Sequence, residues 1–238
     1  MVYWALKVVL TPLFLLAFRV RVEGRQHVPR RGPAILAANH QSFCDSLFLP
    51  LAVPRKVTYL AKAEYFDDRR TAWFFRAVGQ IPIRRGGGRP AERALATARE
   101  ALGEGRVLAL YPEGTRSTDE FVHRGRTGVA RLAAECRVPI IPVGLEGTAD
   151  VQPVGRRYLR PFRRVTIRFG PAMELEPPPG ENTASSSPPD RRAAREATDR
   201  LMREIARLSG RTYLDEYVPA RTAPAAGPHG SGAPGRVA

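Results

Sequence analysis

Apolar positions recur along the chain with two different periods. Residues 18–24, Phe-Arg-Val-Arg-Val-Glu-Gly, alternate apolar and polar side chains, the period of a half-buried strand. Residues 33–38, Pro-Ala-Ile-Leu-Ala-Ala, form a short buried strand that ends at Asn39 and His40. From Ser42 the spacing turns helical, through Leu47 and Leu51 as far as Pro54. A strand over 56–61, a short helix closed by Gly79 and a brief strand over 80–83 follow, then the loop Arg-Arg-Gly-Gly-Gly-Arg-Pro. Residues 89–105 have helical composition, with Pro90 near the start and Gly103 near the end, the usual asymmetry of helix termini. A buried strand over 106–110 feeds a polar loop, and a helix from about Thr127 to Glu135 precedes a buried strand over 138–148. Residues 163–170 alternate like an edge strand, and a helical stripe resumes from Asp190 to Leu208.

Strands alternating with helices predict an α/β fold: a mixed sheet of about six to seven strands covered by helices, with ligands at the strand ends. The main domain runs over 18–210, interrupted by a Pro- and Ser-rich linker at about 171–189. A C-terminal extension over 211–238 has too little apolar content to fold from about 219. Ahead of the domain, residues 1–17 form an apolar helix. Lys7 and Pro12 break its run, which falls short of the ~20 residues needed to cross a bilayer core. It lacks the basic start and the small-residue cleavage site of a signal peptide. Tyr3 and Trp4 beside Lys7 fit a segment resting at the headgroups, a monotopic anchor. The alternative is a buried first helix covering the sheet.

With 238 residues and 43% apolar content, the chain can build one core. The net charge is 38 − 23 = +15, which favours phosphorylated ligands, acidic membranes or nucleic acid as partners. Most of it is arginine that solvated faces can absorb. A nucleic-acid binder would need stacking aromatics among its basic residues and no apolar N-terminus, so no nucleic acid is expected. Cys44 and Cys136 fit neither a metal nor a disulfide spacing.

His40 lies at a strand end, five residues before Asp45. A carboxylate bonded to one ring nitrogen fixes the tautomer and prepares the other to take a proton. Ser42 and Asp45 equally fit a capping box, with Ser42 starting the helix and Asp45 answering it. The two roles are compatible, since a carboxylate has two oxygens. A second constellation, Tyr111 to Ser117, puts Glu113, Gly114, Thr115, Arg116 and Ser117 in a turn after a buried strand. Glycine admits a ligand close to the backbone, and arginine pairs with phosphate. Arg84 and Arg85 lie at another strand end, and Arg124 and Arg126 precede a helix start.

Taken in order, Asn39-His40 with Asp45, Gly79-Ile81-Ile83-Arg85, Tyr111 to Ser117 and Val138 to Val143 resemble the four blocks of the glycerolipid acyltransferases. The resemblance is in particular to those acting on 1-acyl-sn-glycerol-3-phosphate, and it extends over about residues 18–170. The resemblance implies acyl transfer from acyl-CoA or acyl carrier protein to the sn-2 hydroxyl of a lysophospholipid, giving phosphatidic acid for phospholipid biosynthesis. His40 is then the base and Asp45 its orienting carboxylate. Arg85, Glu113, Gly114, Thr115, Arg116, Ser117 and Arg124 hold the acceptor. Glu113 is a positioning residue, holding Arg116 or a glycerol hydroxyl. Arg84 departs from the pattern, where many members have aspartate. No side-chain nucleophile is paired with a base, so direct transfer is expected, with no cofactor and no metal. The expected location is the cytoplasmic face of the cell membrane, against anionic lipids. Alternatives are another lysolipid or glycerol-3-phosphate as acceptor, or a non-catalytic lipid-binding protein.

Overall fold

The computed structural model describes residues 2–83, 90–153, 155–156, 158–174 and 191–219. In chain order the elements are α1 (Val2–Ala17), β1 (Arg19–Glu23), β2 (Ala34–Ala38), α2 (Asp45–Ala52), β3 (Val57–Lys62), α3 (Glu64–Asp67), α4 (Arg69–Ala77), β4 (Ile81–Ile83) and α5 (Pro90–Gly103). They continue with β5 (Val107–Leu110), β6 (Phe121–His123), α6 (Gly128–Cys136), β7 (Ile140–Glu146), α7 (Thr148–Val151), β8 (Arg164–Phe169), α8 (Arg191–Ser209) and β9 (Thr212–Leu214). Seven strands make one sheet in the order β1-β8-β7-β2-β5-β3-β4, and β6 pairs with β9 in a separate two-stranded ribbon. Strands β7, β2, β5, β3 and β4 run parallel. Strands β8 and β1 run together in the opposite sense.

Both faces of the sheet are covered, so the central strands are continuous apolar runs. Along β2, Ile35 and Ala37 face a core with Leu102, Leu132, Leu201 and Ile205 from α5, α6 and α8. Leu36 and Ala38 face the other core, with Phe48 and Leu49 of α2. Helix α8 lies directly on β7, where a Cβ added to Gly144 would stand 2.3 Å from the backbone carbon of Leu208. Only glycine admits that approach.

One expectation about the sheet is corrected. Strand β8 alternates in sequence but is internal, because β1 pairs along its outer side from Arg19↔Arg164 to Glu23↔Arg168. The half-buried edge strand is β1 itself. Residues 212–214, assigned to the C-terminal extension, pair with β6. The start of the expected linker is tied to the sheet, where Met173 bridges to Ile140, while residues 84–89 of the glycine-rich loop, 175–190 and the tail from 220 lie outside the described residues.

Helix α1 forms, with two unlike faces. One packs inward: Phe14, Phe18 and Phe48 are in mutual ring contact at 5.2–5.4 Å, and buried Tyr3 accepts from the Val57 N–H at 3.1 Å. Lys7 is on this inward face, which corrects its assignment to the headgroup zone. Its Nζ donates to the Pro50 carbonyl at 2.7 Å and to the Val53 carbonyl, closing the C-terminus of α2. Burial, with Arg25 adding to it, brings its pKa down to about 8. The other face exposes Trp4, Val8, Val9, Leu13, Leu15 and Leu16. Among the described residues no helix is long and apolar enough to cross a membrane.

Candidate active site

Strands β2 and β5 are neighbours with Ala37 opposite Leu110, so the loops leaving their C-terminal ends meet. His40 comes from the first loop and Tyr111 to Ser117 from the second. Asn39 fastens the first loop to β7: its amide donates to the Leu145 carbonyl at 2.9 Å and accepts the Leu145 N–H at 2.8 Å. The second loop holds the His40 backbone from both sides. The His40 N–H donates to Glu113 Oε1 at 3.1 Å, and the His40 carbonyl accepts from the Ser117 N–H at 2.8 Å.

His40 Nδ1 stands 2.9 Å from Asp45 Oδ2. The same oxygen accepts the N–H of Gln41 at 2.8 Å and of Ser42 at 2.9 Å. Those backbone groups can only donate, so Oδ2 is an acceptor and the shared proton belongs to Nδ1. Nε2 is then the basic nitrogen, with the ring still partly open to solvent at 17% side-chain exposure while Asp45 is fully buried. Both expected roles of Asp45 therefore fall on one oxygen. Only half of the capping box is made. Cys44 takes the N-cap position of α2, and Ser42 Oγ donates to the Gln152 carbonyl at 2.8 Å. Burial pushes the neighbouring Cys44 thiol up to about 12, so it is no thiolate nucleophile.

Tyr111 belongs to the quoted motif, yet nothing in the sequence assigned it a role. Its ring stacks on the imidazole at 3.8 Å between centroids and 9° between planes. Its hydroxyl pairs with Ser46 Oγ at 3.0 Å. Burial, with the Asp45 charge adding to it, raises the phenol well above its ordinary range, so a neutral ring limits how His40 can turn. The signal was the register that puts both residues just beyond adjacent strand ends.

The expected substrate-binding residues divide. Glu113 is 2% exposed and holds two backbone amides, of His40 and, at 3.3 Å, of His123. It positions His40, and the expected bond to Arg116 is not made. Burial raises its pKa from 4.5 to about 7 against those two hydrogen bonds. Ser117 is also buried, its hydroxyl donating to Asp119 Oδ1 at 2.7 Å. Gly114 turns with φ +78° at the surface beside exposed Thr115. Arg116 is half-buried, and among the described residues it makes no hydrogen bond or ion pair. Arg124 is drawn away, with Nε 3.4 Å from Asp215 and its guanidinium over Tyr217 at 5.5 Å. Arg126 is the arginine on the turn, its Nε 2.8 Å from where a Gly114 Cβ would stand. Arg85 lies outside the described residues.

A second histidine–carboxylate pair lies behind this site. His123 Nε2 is 2.9 Å from Asp119 Oδ2 and its Nδ1 is 3.2 Å from the Glu216 carbonyl. Both nitrogens are engaged and the ring is 2% exposed, so the pair fixes the loop to the C-terminal segment. Among the described residues no group of three or more histidine, cysteine or acidic side chains is placed to hold a metal ion.

The acyltransferase family model matches residues 19–146. A 1-acyl-sn-glycerol-3-phosphate acyltransferase of Chlamydomonas reinhardtii is 31% identical over 186 residues, covering 73% of this chain and 54% of that protein. One of Bacillus subtilis is 26% identical, over 61% of this chain and 70% of its own length. A lyso-ornithine lipid O-acyltransferase of Pseudomonas aeruginosa is 37% identical, over 61% and 50%. The crystal structure of the 1-acyl-sn-glycerophosphate acyltransferase PlsC from Thermotoga maritima superposes with a TM-score of 0.62 at 26% identity, over 84% of this chain and 77% of that one. The chain spans about half the length of the first curated relatives it matches, 54% of the algal protein and 39% of an Arabidopsis thaliana one.

Glu113 gives this geometry a pH signature. With its pKa raised from 4.5 to about 7, it contributes stability that is present below pH 4.5 and lost as pH rises through 7. Glu113→Gln cannot titrate. The stability gap between wild type and this variant, read by urea denaturation from pH 4.5 to 8, should therefore narrow by up to roughly 3 kcal/mol. A gap constant with pH contradicts burial as the cause.

Proposed function

We propose a reaction for this chain, which belongs to the acyltransferase family. It moves a fatty acyl group from a thioester, acyl-CoA or acyl carrier protein, to the sn-2 hydroxyl of 1-acylglycerol 3-phosphate, giving phosphatidic acid. The observation that carries the reading is His40 held with Nδ1 on Asp45 and Nε2 directed elsewhere. Nε2 takes the proton of the acceptor hydroxyl as its oxygen attacks the thioester carbonyl, a contribution of the order of 10²–10⁴-fold. The fully buried carboxylate of Asp45 stabilises the imidazolium that forms. The tetrahedral intermediate expels the thiolate, which recovers that proton, so His40 is neutral again. No acyl-enzyme is needed.

The acceptor phosphate is placed at the Gly114–Arg116 turn. Arg116 has no partner among the described residues and Gly114 allows close approach. Arg85 is assigned there by its motif alone. A second acceptor is favoured by one observation, the 37% identity to a lyso-ornithine lipid O-acyltransferase, whose printed substrate is another lysolipid. The location is the cytoplasmic face of the cell membrane, peripheral through α1, because the outward face of that helix is as apolar as its packed one.

Purified protein with labelled acyl-CoA and a panel of lysolipids should yield labelled phosphatidic acid; an unlabelled panel favours a lipid-binding role. His40→Ala should lower kcat at least ~10²-fold in protein whose circular dichroism shows the fold retained, whereas Arg116→Ala should chiefly raise KM for the phosphorylated acceptor, by about tenfold or more. Substantial turnover without His40, or an unchanged KM without Arg116, removes the respective role. Val8→Glu with Leu16→Glu leaves the packed face of α1 intact and should release the protein from sedimenting phospholipid vesicles. Retention would place the anchor elsewhere.

A further inference from the structure

Strands β8 and β1 run opposite to β2, β5 and β7, so their starting residues Arg164 and Arg19 lie at the end of the sheet where β2 delivers His40. The segment leading into β8, Tyr158-Leu159-Arg160-Pro161-Phe162-Arg163-Arg164, is therefore on the same side of the molecule as the candidate site. Leu159 packs against the core and fixes the segment. On either side of it Tyr158 is 54% exposed and Phe162 72% exposed. Phe162 holds φ +62°, a conformation rare for an aromatic residue, which keeps its ring turned out.

The segment is continuous with α1. The Phe162 N–H donates to the carbonyl of Ala17, the last residue of that helix, at 2.7 Å, and the Arg19 N–H donates to the Arg163 carbonyl at 3.1 Å. It is also tied to the catalytic loop, because the Arg160 N–H donates to the Val151 carbonyl at 2.8 Å and the adjacent Gln152 carbonyl accepts from Ser42 Oγ. Arg156, Arg160, Arg163, Arg164 and Arg19 are all exposed around the two aromatics, and none makes an ion pair among the described residues. Exposed aromatics interspersed along the chain with exposed arginines, beside an apolar helix, match an anionic bilayer in both chemistries: rings at the acyl boundary, guanidinium groups at the phosphates.

We propose that residues 158–164, with Arg156 and Arg19, form a second membrane-contact element that recognises anionic lipid headgroups. It sets the candidate site toward the bilayer while α1 supplies apolar attachment. This rests on the membrane reading of α1 but goes beyond it in residues, lipid class and orientation. An acidic protein would satisfy the arginines, but it would leave the outward rings and the adjoining apolar face of α1 without a counterpart.

The test uses the full chain with vesicles of phosphatidylcholine alone or mixed with phosphatidylglycerol. Arg160→Gln with Arg163→Gln should lower partition to the mixed vesicles by about tenfold or more, since each arginine near an anionic surface contributes ~1 kcal/mol. Binding to neutral vesicles and Tm should not change. In a Trp4→Phe, Trp73→Phe background, the single indole introduced by Phe162→Trp should shift to the blue and be quenched by brominated lipid on mixed vesicles. Wild-type partition by the double variant, or an indole that stays water-exposed on bound protein, overturns the proposal while leaving the α1 reading intact. Wild-type protein that binds neither vesicle overturns both.

Discussion

One carboxylate oxygen constrains the site. Asp45 Oδ2 accepts hydrogen bonds from the Nδ1–H of His40 and the backbone N–H groups of Gln41 and Ser42, in a position from which water is excluded. Three donors on one buried acceptor fix the turn between β2 and α2, the tautomer of the imidazole and the direction of its free nitrogen together. The rest of the site braces this turn. Tyr111 limits rotation of the ring, Glu113 and Ser117 pin the His40 backbone, and Asn39 ties the strand end to β7.

The sheet topology decides what this site faces. A wholly parallel sheet would send every strand start away from the catalytic end. Reversing β8 and β1 brings the end of α1 and the arginine-rich segment back to it, and hydrogen bonds through Val151 and Gln152 connect that segment to the turn that carries His40. The proposed membrane-contact surface and the histidine proposed as base lie on one side, an arrangement that would suit a substrate that does not leave the bilayer.

The main sheet was legible because its strands are either continuous apolar runs or strict alternations, and the helices carry clear periodicity. Strands β6 and β9 were not, since three residues carry no period and their pairing joins segments about ninety positions apart. The edge assignment of β8 failed for a related reason: alternation reports half-burial, whereas edge position depends on a partner remote in sequence. Within the site, residue chemistry and spacing offered His40 with Asp45 as a pair and a turn at Gly114, but fitted a helix cap equally well, and it was the family resemblance that assigned the pair its role. The partners of Glu113, Ser117 and Arg124 could not be read, because what each side chain meets is set by neighbouring loops. Glu113 finds two backbone amides, Ser117 finds Asp119, and Arg124 finds a C-terminal segment that composition gave no reason to place there.

The central claim is that Asp45 sets the imidazole of His40 as an Nδ1–H tautomer with Nε2 as the base. Nitrogen-15 NMR of the histidine-labelled protein, assigned with the His40→Ala variant, reads this directly at a pH where the ring is neutral. The account predicts a protonated Nδ1 and an unprotonated Nε2 for His40, with the preference lost in Asp45→Ala. An Nε2–H tautomer in the wild-type protein, or a tautomer unchanged by removing the carboxylate, would contradict it.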